Sequence, residues 1–194
     1  LVGSEMCIRD RQGTWREIQD KLIVPKNRLI ELTKGSLTLG SLIVEPFSVS
    51  HDAADPIGIN VFAGNDKATI VTDTGVISDD ILRRIDDTTL LVLEANYDPH
   101  MLRFGPYQPF LKQRVASDEG HLSNEMAAQA LLMMKRPDFM QVILAHRSEN
   151  NNNSVLVTQT IGKMLVDGGV RIGPEMKLQH GQPNEIVSIQ SVER

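Results

Sequence analysis

Apolar positions along this chain change their period near its middle. Before Gly75 they fall in short β-branched runs: Asn27 to Ser50, interrupted by Gly35 and Gly40, then Ile57 to Phe62 and Ala68 to Thr72 around a Gly64-Asn65-Asp66 turn. Runs of this length bounded by glycine read as strands, and the short turn makes the last two a hairpin, so this half is expected to be mostly antiparallel. Ahead of them, Thr14 to Leu22 has helical spacing. Trp15, Ile18 and Leu22 share a face, and Thr14 with Glu17 has the form of a capping box. After Gly75 strand and helix alternate. Ser78 opens a helix through Ile85, Thr89 to Leu93 is a strand, Ser123 to Lys135 a helix and Phe139 to Ala145 a strand. A helix from about Ser154 to Asp167 then stops at Gly168-Gly169. Short strands are expected at Glu175 to Leu178 and Ile186 to Gln190. Sheet followed by alternating strand and helix predicts a layered α/β fold.

Composition narrows the class. With 194 residues, 41% of them hydrophobic and 23% charged, the chain suits one globular domain. No apolar run approaches the ~18 residues that span a bilayer, and no signal-peptide core is visible, so a cytoplasmic protein without a membrane partner is expected. Cys7 is the only cysteine. That excludes an intramolecular disulfide and a multi-cysteine zinc site, and leaves nitrogen and oxygen to hold any metal. A net charge of −5 argues against a strongly basic nucleic-acid binder, though not against a local basic surface. The chain opens on Leu1, and Leu1 to Arg11 lacks periodicity, so residues 1–13 stand apart. They read as extraneous or disordered, with the domain over 14–194 and Cys7 outside it.

Three residues end or closely follow apolar strands: His51 after Phe47 to Val49, Asp73 after Ile70 to Thr72, and His146 after Val142 to Ala145. Neutral imidazoles and a carboxylate at strand tips suit zinc, manganese or iron, and an aspartate can bridge two ions that share a phosphoryl displacement. Taken singly, each histidine is more ordinarily a hydrogen-bonded residue at a sheet edge, and an aspartate before a glycine turn more often closes an Asx-turn.

Their order and surroundings add a resemblance. Phe47-Ser48-Val49-Ser50-His51-Asp52-Ala53, Val71-Thr72-Asp73-Thr74-Gly75, Leu93-Glu94-Ala95-Asn96-Tyr97-Asp98, Met101-Leu102-Arg103, Ser117-Asp118-Glu119-Gly120-His121-Leu122-Ser123-Asn124-Glu125 and Leu144-Ala145-His146 resemble the YycJ (WalJ) type of metallo-β-lactamase-fold hydrolases, from about Thr14 to Asp167. The resemblance implies the C-terminal part of an αββα sandwich and a site for two divalent ions, zinc or manganese. In it His51 and His146 are terminal ligands and Asp73 bridges. It also implies a metal-dependent phosphodiesterase acting on DNA as a 5′ to 3′ exodeoxyribonuclease. The family's upstream His-x-His-x-Asp-His has no counterpart, since this chain contains no His-x-His. A truncated frame, weak metal binding and no turnover are therefore expected of this polypeptide. A cyclic phosphodiesterase or a thioester hydrolase of the same fold would use the same ligands, and a non-catalytic fragment is the competing reading.

Two further stretches bear on substrate. In Gly120-His121-Leu122-Ser123-Asn124, Ser123 is a good N-cap, which leaves His121 unexplained. Beside helix amides that attract phosphate, an imidazole can hold a phosphate oxygen or protonate a leaving alkoxide. His121 is the expected catalytic residue, with Ser123 and Asn124 as substrate contacts. Between Asn96 and Arg114, Tyr97, Phe104, Tyr107 and Phe110 are interleaved with Arg103, Lys112 and Arg114. Rings that stack bases and cations that follow phosphates suit single-stranded nucleic acid, with Arg103 and Tyr107 as expected contacts. Packing around Gly105-Pro106 is the plain alternative. Pro106 and Pro109 argue for a loop at the mouth of the site. Glu94 reads either as a partner of a ligating histidine or as structural, and His100 and His180 as surface residues.

Overall fold

The computed structural model describes residues 7–21, 25–32 and 35–189. Strand β1 (Ile8–Asp10) pairs in parallel with β2 (Leu29–Glu31), and between them lies helix α1 (Gln12–Ile18). The helix begins two residues before the predicted cap. Arg11 is its N-cap residue, without a side-chain cap bond, and Thr14 lies inside it. Tertiary anchoring explains the shift: buried Arg11 donates to Ser48 and Asp55, and the Gly13 amide donates to Asp55. Leu22, assigned to the apolar face of this helix, lies outside the described residues.

The main sheet has seven strands in sequence order: β3 (Leu37–Leu39), β4 (Leu42–Ser48), β5 (Ile57–Ala63), β6 (Asp66–Val71), β7 (Leu90–Glu94), β8 (Met140–Ala145) and β9 (Met176–His180). The first four pair antiparallel and the last three join in parallel, the change of regime expected at Gly75. Gly40 and Gly64, at φ 62° and 61°, take the left-handed turns that a side chain resists. The predicted strand over Ile186 to Gln190 does not form over its described part, Ile186 to Ile189.

Helices α2 (Asp79–Ile85), α5 (Asn124–Met133) and α6 (Ser154–Asp167) supply the crossovers, and α3 (Pro99–Phe104) and α4 (Pro109–Val115) are short. Ser78 and Ser123 cap α2 and α5 through their hydroxyls. The loop expected around Pro106 and Pro109 is confined to residues 105–108, between the two, and Pro109 itself begins a helix. Proline sits in the first turn of both α3 and α4, where its missing N–H has no partner to lose.

Strand alternation and register assign Val71, Leu91, Leu93, Val142 and Leu144 to one face. They are buried in one cluster with Ile81 and Ile85 of α2, Ala127 and Leu131 of α5, and Val157, Ile161 and Leu165 of α6. The opposite face is apolar as well. It carries Val44, Ile59, Ile70, Val92 and Ile143, all partly exposed, and Ile70 is 42% exposed. A sheet apolar on both faces is built for a layer on each. The parallel strands β6, β7 and β8 run the same way, so their C-terminal tips open on one edge, and the candidate chemistry sits there.

Candidate active site

His51, Asp73 and His146 come together at that edge. His51 Nδ1 lies 3.0 Å from the carbonyl of Gly120. A carbonyl only accepts, so Nδ1 carries the proton and Nε2 presents its lone pair. That Nε2 is 3.8 Å from Asp73 Oδ1, and His146 Nε2 is 3.6 Å from the same oxygen. His146 Nδ1 is held 2.8 Å from Glu94 Oε1. Both histidines thus have the far ring nitrogen tied to an acceptor and the near one aimed at a shared carboxylate, which is how ligating imidazoles are oriented.

The backbone supports this geometry at a cost. Among the described residues the non-glycine positions with positive φ are Asp73 (55°), Asp87, His146 (52°) and Asn184. Left-handed backbone is unfavourable by roughly 1–2 kcal/mol per residue for L side chains. Two of the three expected ligands adopt it, which bends each strand end so that its side chain turns across the tips. Among the described residues Asp73 makes no Asx-turn hydrogen bond; the turn is held by its neighbours. Buried Thr74 donates its amide to Glu94 Oε2, accepts from Ser50 N and donates its hydroxyl to Val76 O. Gly75 donates to Ser50 O, and a Cβ there would meet Ser117 O at 2.2 Å. The chain at 117–120 can therefore close over the turn and deliver Gly120 to His51.

Glu94 is the residue whose role the sequence left open. At the tip of β7 it is fully buried, and its Oε1 also accepts from His121 Nδ1 at 2.7 Å. Burial raises its carboxyl, but the bonds from His121, His146 and Thr74 outweigh this and hold it below the ordinary glutamate value. His146 is held above the ordinary histidine value, chiefly by the Glu94 hydrogen bond, against its own burial. His121 stands between the other two rings, with centroids 5.1 Å from His51 and 5.3 Å from His146. Its Nδ1 is occupied by Glu94, which leaves Nε2 for the cleft. Donor atoms of His51, Asp73 and His121 lie within 4.8 Å of one another, as do those of Glu94, His121 and His146. The donor chemistry, imidazole nitrogens with one half-exposed carboxylate, fits zinc or manganese.

His51, Asp73, His121 and His146 line a cleft of about 1110 Å³ with Tyr107, Leu111, Arg114 and Arg147. Arg114 pairs with Asp52, whose carboxyl this guanidinium lowers. The other expected substrate contacts fall elsewhere. Ser123 and Asn124 are buried, the first spent on capping α5 and the second bonded to Asn152. Arg103 is exposed, with its guanidinium 5.2 Å from the Phe104 ring. Of the four aromatic residues, Tyr97 is core and Tyr107 packs beside it at the cleft, while Phe104 and Phe110 are 67% and 71% exposed. His180, read from sequence as a surface residue, is half-buried at the end of β9.

The chain belongs to the beta-lactamase superfamily, whose domain profile matches residues 9–146, and its class is that of metallo-β-lactamase-fold hydrolases. Its mixed sheet with outer helices is the expected fold. Among characterised proteins it is similar to exodeoxyribonuclease YycJ of Bacillus anthracis, 33% identical over 190 residues that cover 97% of this chain and 72% of that protein. It is also 30% identical over 184 residues to exodeoxyribonuclease WalJ of Streptococcus pneumoniae serotype 2, covering 92% of this chain and 68% of the relative. Two solved structures share the fold. YhfI of Bacillus subtilis has a TM-score of 0.62 at 13% identity, over 90% of this chain and 61% of that one. Unliganded yeast PDE1 has 0.60 at 13%, over 94% and 59%. The chain thus spans about three fifths of the length of these two structures. No helix among the described residues is long and apolar enough to cross a membrane.

Proposed function

We propose that this chain contributes His51, Asp73 and His146 to a two-metal phosphodiesterase site whose substrate is DNA, degraded from an end in the 5′ to 3′ direction. The observation that carries the reading is the convergence of His51 Nε2 and His146 Nε2 on one Asp73 oxygen, each ring fixed from behind by Gly120 or Glu94. When bound there, zinc or manganese supplies a water of lowered pKa and neutralises charge on the phosphoryl oxygens. The protein's own part is orientation and proton transfer. His121, anchored through Nδ1 to Glu94, presents Nε2 to the cleft and delivers a proton to the leaving alkoxide. Exposed Phe104 and Phe110 and the Tyr107 ring at the cleft offer faces on which unpaired bases stack. The names carried by the two characterised relatives favour DNA over a cyclic nucleotide or a thioester.

With no His-x-His in the sequence, the chain by itself is expected to hold metal weakly and not to cycle. The test is therefore run at enzyme excess with manganese or zinc, on oligonucleotides labelled at either end, a cyclic nucleotide and a glutathione thioester. Shortening of the oligonucleotide from its 5′ end, lost in Asp73→Asn, supports the reading. Hydrolysis of the thioester alone, or oligonucleotide cleavage that survives Asp73→Asn, refutes it. Micromolar, stoichiometric zinc in calorimetry overturns the expectation of weak binding. A second reading, a non-catalytic polypeptide that acts as a folding partner, is favoured by the partly exposed Ile59, Ile70, Val92 and Ile143 on one sheet face. Dye binding and self-association, both abolished by Ile70→Lys, would speak for it.

A further inference from the structure

Two arginines line the cleft, and they differ in what holds them. Arg114 is committed to Asp52. Arg147, which directly follows His146, makes no hydrogen bond or ion pair through its guanidinium among the described residues, although exposed Glu149 lines the same cleft. It is half-buried, and its Nη1 is covered by protein without an acceptor. A half-buried cation with a covered, unpaired N–H is an expensive arrangement that an anion would relieve.

The His180 ring, which feels the charge of Arg147, does not compensate it. The Thr158 hydroxyl donates to Ser154 O, so at 2.8 Å it must accept from His180 Nε2–H, while His180 Nδ1 is buried without a partner among the described residues. Burial lowers His180, and the charge of Arg147 lowers it further, so the uncharged ring is favoured beside the arginine. Arg147 lines the same cleft as His51, Asp73, His121 and His146. Consecutive Cα atoms are about 3.8 Å apart, so Arg147 stands one residue from an expected ligand.

We infer that Arg147 is the phosphate anchor of this cleft and binds a phosphate of the nucleic acid adjacent to the bond that is cut. The inference rests on the phosphodiesterase reading above. Guanidinium is suited to the task because its planar N–H fork matches phosphate oxygens and it stays charged at every working pH. The cation raises affinity for the substrate and does not itself carry the chemistry.

Binding separates this role from catalysis. Fluorescence anisotropy of the full chain with a short single-stranded oligothymidylate, in EDTA and over a series of salt concentrations, gives Kd and its salt slope. Arg147→Met should weaken binding about tenfold and reduce the slope of log K against log salt by about 0.7, the share of one phosphate contact on a single strand. Comparison of oligonucleotides with and without a 5′-phosphate tells a terminal phosphate from an internal one, and a loss confined to either still supports the anchor. If Arg147→Met lowers Tm, Arg147→Gln, which keeps a polar end group without the charge, takes its place with the same expected loss. Wild-type binding with an unchanged slope and Kd in the neutral variant overturns the anchor and leaves the nuclease reading standing. Failure of the wild-type chain to bind the oligonucleotide removes both.

Discussion

Glu94→Gln replaces one atom in the most densely bonded residue of the site. In the native protein Glu94 Oε1 accepts from His121 and His146 and Oε2 accepts from Thr74 N, three donors on a fully buried carboxylate. An amide has one acceptor oxygen. If that oxygen faces the histidines, the NH2 opposes the Thr74 amide; if it faces Thr74, the NH2 opposes two Nδ1–H groups. Either way a buried donor is left unpaired, a loss of about 1–3 kcal/mol, and the imidazole bonds lose charge assistance worth roughly half their strength. The change should total about 3–4 kcal/mol. For a chain of this size that corresponds to a fall of about 10 °C in Tm. Circular dichroism in EDTA measures it, and zinc titration of the same protein should show metal affinity down 10- to 100-fold, roughly, as the His146 ring loses its orientation. A variant that melts within a degree or two of wild type and binds zinc equally would refute the role assigned to Glu94.

Other consequences follow from the same residues. The metal-free Tm should be bell-shaped in pH. Glu94 is held below its ordinary value, so its contribution is present above the ordinary glutamate range and is lost as pH falls through its native pKa. His146 is held above the ordinary 6.5, so its contribution is complete below that value and is lost as pH rises through its native pKa. Glu94→Gln should flatten the alkaline limb, and an unchanged limb would exclude the pair as its source. Gly75→Ala places a Cβ 2.2 Å from Ser117 O and should lower Tm by several degrees, with weaker metal uptake because Gly120 is displaced from His51. Phe110→Ser should weaken single-stranded DNA binding by roughly 1–3 kcal/mol while leaving Tm within a degree, since the ring is 71% exposed. Equal affinity in an anisotropy titration would return Phe110 to ordinary surface.

The second half of the fold was largely legible because its signals are local. Ser78, Ser123 and the Gly168-Gly169 stop each act within one turn of their own helix, and α6 runs over Ser154–Asp167, the residues its pattern marks out. The misplaced start of α1 comes from contacts with Asp55, more than forty residues away, which no local cap can announce. Pro109 was read by its power to break a helix, whereas in the first turn it starts one. His51, Asp73 and His146 stood out because strand tips are visible in a hydrophobic pattern. Glu94 was left between two readings, because its role depends on register: the pairing of Glu94 with Ala145 brings its carboxylate beside His146, and parallel register is not written in either strand. Ser123 and Asn124 occupy a suggestive stretch, and the fold adds what the stretch does not announce: their side chains bond to the helix start and to Asn152.

The left-handed backbone at Asp73 and His146 restricts what evolution or a designer can place there. Asparagine, aspartate, histidine and glycine tolerate that conformation, whereas a β-branched residue would have to unbend the strand end. Glycine would relieve the strain, so Asp73→Gly should make the metal-free protein more stable by on the order of 1 kcal/mol even as it deletes a carboxylate from the cleft. The fold is therefore less stable than its own sequence neighbourhood permits, and random drift judged on stability alone would erode the site.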